Sequence, residues 1–196
     1  MQDDVLKLIV GLGNPGPQYR NNRHNAGLWF LSRLCHLHGG ELRNEGKFFG
    51  DSGRITLGNQ ELRLLFPTTF MNRSGQSVAA LCKYFAIAPQ NMLVAYDEID
   101  FQPGITRFKF GGGHGGHNGI RDIINALGGA RDFHRLRIGV GHPGDKSLVA
   151  GFVLSDPSSK EADIIQHSID DAIAVMPLAV NGQWEQAMHR LHSASS

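Results

Sequence analysis

Residues 111–119 read GGGHGGHNG, with glycine at six of nine positions. No helix or strand interior accommodates such a run, because glycine loses more freedom on ordering than any other residue and offers no side chain to pack. The stretch is therefore a loop. It joins ITRFKF (105–110), which alternates like a strand, to HNGIRDIINALGG (117–129), which has helical periodicity with Asn118 near its start. A chain that passes from strand to helix through bare backbone mixes both element types. It also leaves room for something bulky to approach that backbone.

The flanking segments fill in this picture. LKLIV (6–10) is a short apolar run ending at Gly11 and reads as a buried strand. AGLWFLSRLCHLHGG (26–40) is a helix with Asn25 as its expected N-cap and Gly39 as its stop. KFFGDSGRITLGNQELRLLFP (47–67) reads as two strands joined at Gly58, Asn59 and Gln60. A helix over 75–87 follows, with Ser74 as candidate cap, and then a strand over 91–100 that carries Asp97 to its C-terminal edge. Alternation puts Arg107 and Lys109 on one face of their strand and Phe108 and Phe110 on the other. In RLRIGVG (135–141) it puts Leu136, Ile138 and Val140 inward, and Arg135 and Arg137 outward. A long amphipathic helix begins near Ser158, where Ser158 and Glu161 form a capping box. Pro177 bends or ends it, and WEQAMHRLH (184–192) adds a last helical piece. With no repeat or linker to divide it, the chain is expected to form a single α/β domain over 1–196. Its mixed sheet is flanked by helices on both faces.

Composition excludes several classes. Of the 196 residues, 41% are hydrophobic and 19% charged, as in an ordinary folded protein. No apolar run approaches the roughly 20 residues of a membrane span. Asp3 and Asp4 stand where a signal peptide needs base, so a cytoplasmic location is expected. Cys35 and Cys82 lie in apolar helix-like segments, without metal or redox spacing, and are read as buried thiols. The overall charge of +1 hides a gradient: residues 107–146 carry a net +4 and residues 147–196 a net −4. One cationic face is implied.

Two motifs mislead. GLGNPG (11–16) matches a dinucleotide-binding fingerprint and follows a strand, but Pro15 removes a backbone donor where a pyrophosphate needs one. His114 and His117 have H-x-x-H spacing near Asp97, Glu98 and Asp100, yet they sit on glycine rather than on a rigid helix face. A serine-hydrolase elbow, G-x-S-x-G, is absent.

The remaining constellation is hydrolytic. In α/β sheets, ligands gather beyond the C-terminal ends of parallel strands. Asn14, Asn72 and Asp97 each fall at or just after a predicted strand. His24 precedes a helix, and an unperturbed imidazole titrates near pH 6.5, in the range of a general base. A carboxylate such as Asp97 can hold an imidazole in one tautomer. Asn14, Asn72 and Asn118 offer neutral donors and acceptors to orient a substrate.

LIVGLGNPGPQY, RHNAG, PTTFMNRSG, DEID, GGGHGGHNG and FHRLRIGVGHPG occur in that order. Together they resemble the bacterial-type peptidyl-tRNA hydrolase family, from about residue 7 to 154. Asn22 departs from the threonine frequent in the family, and DEIDFQPG from a more usual DDLDLP-G. With no sustained heptad or unaccounted apolar stripe a monomer is expected, and no cofactor or metal is called for. The resemblance implies that the substrate is a peptide esterified to the 3′ ribose of tRNA and that the reaction is hydrolysis of that ester. It implies that His24 is the general base, oriented by Asp97, and that Asn14 and Asn72 position the terminal adenosine and the first peptide amides. Asn118 would steady the peptide carbonyl or the water. Tyr19, Phe70, Met71 and His117 would line the same cleft, and Arg107, Lys109 and Arg137 would meet tRNA phosphate. The residues alone leave two alternatives standing, a metal-dependent hydrolase and a tRNA-binding module without chemistry.

Overall fold

The computed structural model describes residues 5–194, so Asp3 and Asp4 lie outside the described residues. Seven strands form one sheet among them: β1 (Leu8–Gly11), β2 (Arg43–Glu45), β3 (Gly50–Leu57), β4 (Gln60–Pro67), β5 (Met92–Glu98), β6 (Thr106–Phe110) and β7 (His134–Gly139). The order across the sheet is β2-β3-β4-β1-β5-β7-β6. β4, β1, β5 and β7 run parallel, while β2, β3 and β6 close the edges antiparallel. The order of the chain reverses at β1: the strands after it build outward on the β4 side, and the chain then crosses to β5 on the other. That reversal opens a crevice at the carboxyl ends of the central strands.

Helices cover both faces, as expected. α1 (Ala26–Leu37), α5 (Ser159–Val180) and α6 (Trp184–Ala194) share one core with Ile9, Leu64, Leu93 and Leu136. α2 (Ser74–Phe85) and α3 (Asn118–Ala126) pack on the other face against Leu8, Leu65, Val94 and Tyr96. A short α4 (Val149–Val153) stands apart from both cores. None of these helices is long and apolar enough to cross a membrane. Cys35 and Cys82 are free and buried, and burial pushes the Cys82 thiol up to about 11.

Four local expectations need correction. Arg135 does not point outward: it is 1% exposed, because β7 is an interior strand covered on both faces. Asn25 precedes α1 but does not cap it with its side chain, and Ser74 is the first residue of α2, with its hydroxyl donating back to the Met71 carbonyl. Pro177 does not end α5. The helix continues to Val180 because Met176, Ala179 and Val180 are fully buried, which offsets the roughly 3 kcal/mol cost of an interior proline. The three-residue β2 has no counterpart in the sequence reading. Ser158, by contrast, caps α5 as expected, accepting from the Glu161 amide at 3.2 Å.

Candidate active site

The apolar run of β5 buries its own end, and with it the Asp97 carboxylate, whose side chain is 2% exposed. Two imidazoles meet it there. His24 Nδ1 lies 3.0 and 2.9 Å from the two carboxylate oxygens, and His117 Nε2 lies 2.8 Å from Oδ1. His24 comes from a 3-10 turn (Arg23–Asn25) that leads into α1. Gly27 allows this approach: a methyl group there would fall 2.1 Å from the Ala95 carbonyl oxygen, so only glycine lets α1 start directly on the sheet.

The tautomer of His117 follows from its other nitrogen. Nδ1 accepts from the amides of Gly119 and Ile120 at 3.1 and 3.3 Å, which makes His117 the N-cap of α3. That nitrogen therefore bears a lone pair, and in the neutral ring the proton sits on Nε2 and is donated to Asp97. His24 Nδ1 donates to the same carboxylate, which leaves His24 Nε2 as the unprotonated nitrogen of its ring. Burial works against a charged His24, but the adjacent Asp97 charge and hydrogen bond outweigh it and raise its pKa above 6.5. Burial opposes ionisation of Asp97 too, yet the two histidines hold its carboxyl well below the usual carboxylate range.

His24, Asp97 and His117 offer ligand atoms within 4.8 Å of one another, the geometry of a possible metal site. The chemistry does not fit. An ion on His117 Nε2 would require the ring proton on Nδ1, directly against two backbone N–H groups. The H-x-x-H pair is no chelate either, since His114 Nδ1 accepts from the Gly116 amide at 2.9 Å while His117 turns to Asp97.

These residues border a cleft of about 510 Å³. Asn118 and the glycines at 115 and 116 form one wall, and Val149, Ala150 and Val153 of α4 form the other. Glu98, His142 and Lys146 stand at its margins. The α4 wall was missed in the sequence, as was the device that holds it. The buried Arg23 donates to Ser155 Oγ at 2.7 Å and to the Asp156 carbonyl at 3.2 Å, and its guanidinium lies 4.0 Å over the Phe152 ring. Asn22 Nδ2 donates to Asp156 Oδ1 at 2.8 Å. The turn that bears His24 therefore also ties down the segment after α4.

Asn14, Tyr19, Phe70, Met71 and Asn72 do not line this hollow. They form a ledge beside it, beyond the ends of β1 and β4. Asn25 clamps the Asn14 backbone, accepting from its N–H at 2.9 Å and donating to its carbonyl at 3.0 Å. Asn14 Oδ1 accepts from the Met71 amide at 2.8 Å, so its Nδ2 remains to donate elsewhere. A methyl group on Gly119 would lie 2.6 Å from Met71 Sδ and 3.1 Å from His117 Cε1, so the ledge adjoins His117 directly. Tyr19 packs edge-on to Phe70, which is 58% exposed. Asn72 is exposed, and the exposed Asn118 accepts from Arg121 through Oδ1 at 3.2 Å.

The cationic candidates meet at the β6–β7 edge. Arg107 pairs directly across from Arg137, and Lys109 from Arg135. Arg137 and Arg107 both flank the Phe101 ring, at 4.7 and 5.6 Å. Lys109 folds over Gly112, where a methyl group would fall 2.7 Å from Nζ.

Comparison with known proteins points the same way as this geometry. The family model described as peptidyl-tRNA hydrolase matches residues 8–196. The peptidyl-tRNA hydrolase of Tolumonas auensis is 53% identical over 188 residues, 96% of this chain and 95% of that protein. That of Pseudomonas aeruginosa is 54% identical over 189 residues, 96% of this chain and 97% of its own length. The crystal structure of peptidyl-tRNA hydrolase from Acinetobacter baumannii superposes with a TM-score of 0.94 at 48% identity, covering 98% of this chain and 97% of that one. With a match over nearly its whole length, the chain belongs to the peptidyl-tRNA hydrolase family.

Proposed function

We propose that this protein hydrolyses the ester between a peptide and the 3′ ribose of tRNA, with His24 as general base. The observation that carries this reading is the Asp97 carboxylate, buried and hydrogen-bonded to His24 Nδ1, which leaves Nε2 as the proton acceptor on the cleft side. A water held at Nε2 gives up a proton as it attacks the ester carbonyl, and Asp97 stabilises the imidazolium that forms. The imidazolium then returns the proton to the departing 3′ oxygen of the ribose. His117 donates to Asp97 and steadies it between the two rings.

In the same reading, Asn14 Nδ2 and Asn72 position the terminal adenosine and the first peptide amides from the ledge. Asn118 steadies the peptide carbonyl or the water at the start of α3. Tyr19, Phe70 and Met71 supply apolar surface for the substrate. Arg107, Lys109 and Arg137 take tRNA phosphate, with each contact adding to affinity and to salt dependence. All these residues come from one chain, so a monomer suffices, acting in the cytoplasm where peptidyl-tRNA arises.

The test is incubation with an N-acetyl-aminoacyl-tRNA, scoring release of deacylated tRNA. Turnover that His24→Ala abolishes supports the reading. Binding of tRNA without release would leave a module that only holds RNA.

A further inference from the structure

Arg135 is the largest fully buried side chain among the described residues. A guanidinium keeps its charge in a protein, and burying one is costly unless its N–H groups are satisfied. Among the described residues no carboxylate pairs with it. Its partners are backbone oxygens. Nη1 makes a short bond to the Gly113 carbonyl, and Nη2 donates to the Gly112 carbonyl at 2.6 Å and to the Arg131 carbonyl at 3.4 Å. Its Nε has no hydrogen-bond partner among the described residues, and the Phe133 ring lies 4.5 Å away.

The object of this clamp is the glycine loop. Residues 111–113 carry no side chains, and Gly111 and Gly112 take φ values of 70° and 96°. Such a segment cannot anchor itself, so its position must be set from outside. Beyond it, the His114 carbonyl accepts from the His117 amide at 2.9 Å, and His117 reaches Asp97. On its other side His117 meets the Tyr96 ring edge-on at 5.0 Å. A lysine carries the charge, but as a single point it does not match two adjacent carbonyls as a fork does.

We infer that Arg135 is a positioning residue for hydrolysis: by gripping Gly112 and Gly113 it sets where the glycine loop delivers His117 to Asp97. The inference rests on the proposed role of His117, and the experiment separates the two.

The test is a double-mutant cycle on N-acetyl-aminoacyl-tRNA hydrolysis, with Arg135→Lys made in the wild-type and His117→Ala backgrounds and folding checked by thermal melts. Residues that act through one another are non-additive. Arg135→Lys should lower kcat about tenfold with KM within about twofold, and should change kcat by less than about twofold once His117 is gone. Arg135→Gln keeps one NH₂ donor and loses the fork over the two carbonyls. It should show the same pattern, and it carries the test if the lysine variant does not melt cooperatively. An equal loss in both backgrounds, or a loss confined to KM, would overturn the inference and make Arg135 a plain structural pillar. Wild-type kcat in His117→Ala alone would overturn the role of His117 first, and this inference with it.

Discussion

Replacing Asp97 by Asn probes the centre of the proposed chemistry. The 2.9 Å contact between His24 Nδ1 and Asp97 Oδ2 puts the charge centres of imidazolium and carboxylate roughly 4 Å apart, where attraction at an effective dielectric of 20 is about 4 kcal/mol. That sets a ceiling of about three powers of ten on the rate. A second effect is geometric. His117 Nε2–H needs an acceptor at the Oδ1 position, so an asparagine must place its NH₂ at the Oδ2 position, facing His24 Nδ1. His24 then moves its proton to Nε2 and presents no base to water. We expect kcat to fall about 10²–10³-fold in Asp97→Asn. The pH profile moves as well. In the wild type the carboxylate raises the His24 pKa against burial, so the neutral base prevails only above a value higher than 6.5. There kcat/KM climbs with pH to an inflection on the alkaline side of 6.5, whereas in Asp97→Asn only burial acts and the inflection moves to the acid side. Single-turnover hydrolysis of N-acetyl-aminoacyl-tRNA between pH 5 and 8 measures both quantities. Wild-type rates, or an unmoved inflection, would refute the pairing.

The remaining expectations bear on the base, the metal alternative, the peptide and the tRNA. His24→Ala should lower turnover by about 10³-fold or more while tRNA binding, followed by filter retention, survives; full activity would remove His24 from the mechanism. Prolonged EDTA treatment should leave activity intact, and loss restored by zinc or magnesium would return the metal reading. Aminoacyl-tRNA with a free α-amino group should be spared while the N-blocked form is cleaved. Lys146 and His142 stand at the cleft, and of its two carboxylates Asp97 is taken by the two histidines and Glu98 by the Asp100 amide; equal cleavage of both substrates would refute this. Lys109→Ala and Arg137→Ala should raise KM for full-length N-acetyl-aminoacyl-tRNA and leave a short N-acetyl-aminoacyl adenosine ester nearly unaffected. Equal losses on both substrates would place these residues in the catalytic cleft.

What was legible in the sequence was local. Asp97 could be placed because an apolar run ends at it, and His24 because a helix begins just after it. The pairing of the two depends on register across the sheet, and the resemblance to a family supplied it before the geometry did. Arg135 was misread because alternation along RLRIGVG says only that two faces exist. Whether both are covered depends on where the strand lies in the sheet. The arginine is interior because β7 stands between β5 and β6, with the glycine loop closing over its far face. The α4 wall was invisible because its anchors are distant: Asn22 and Asp156 are 134 residues apart.

The two arginines together explain why the cleft needs so few side chains of its own. One wall is bare glycine, and the other is a five-residue helix outside both cores, so the main cores fix neither. Each is held by a buried guanidinium on backbone carbonyls, Arg135 under the glycine loop and Arg23 behind α4. Carbonyl contacts do not depend on the side chains that face the substrate. Arg23 adjoins His24 in the chain, and Arg135 reaches His117 through the glycine loop. The positions of both walls are thus referred to the two imidazoles that share Asp97. A displacement of either wall would be felt at the carboxylate, which links cleft shape to base alignment without any side chain that touches both.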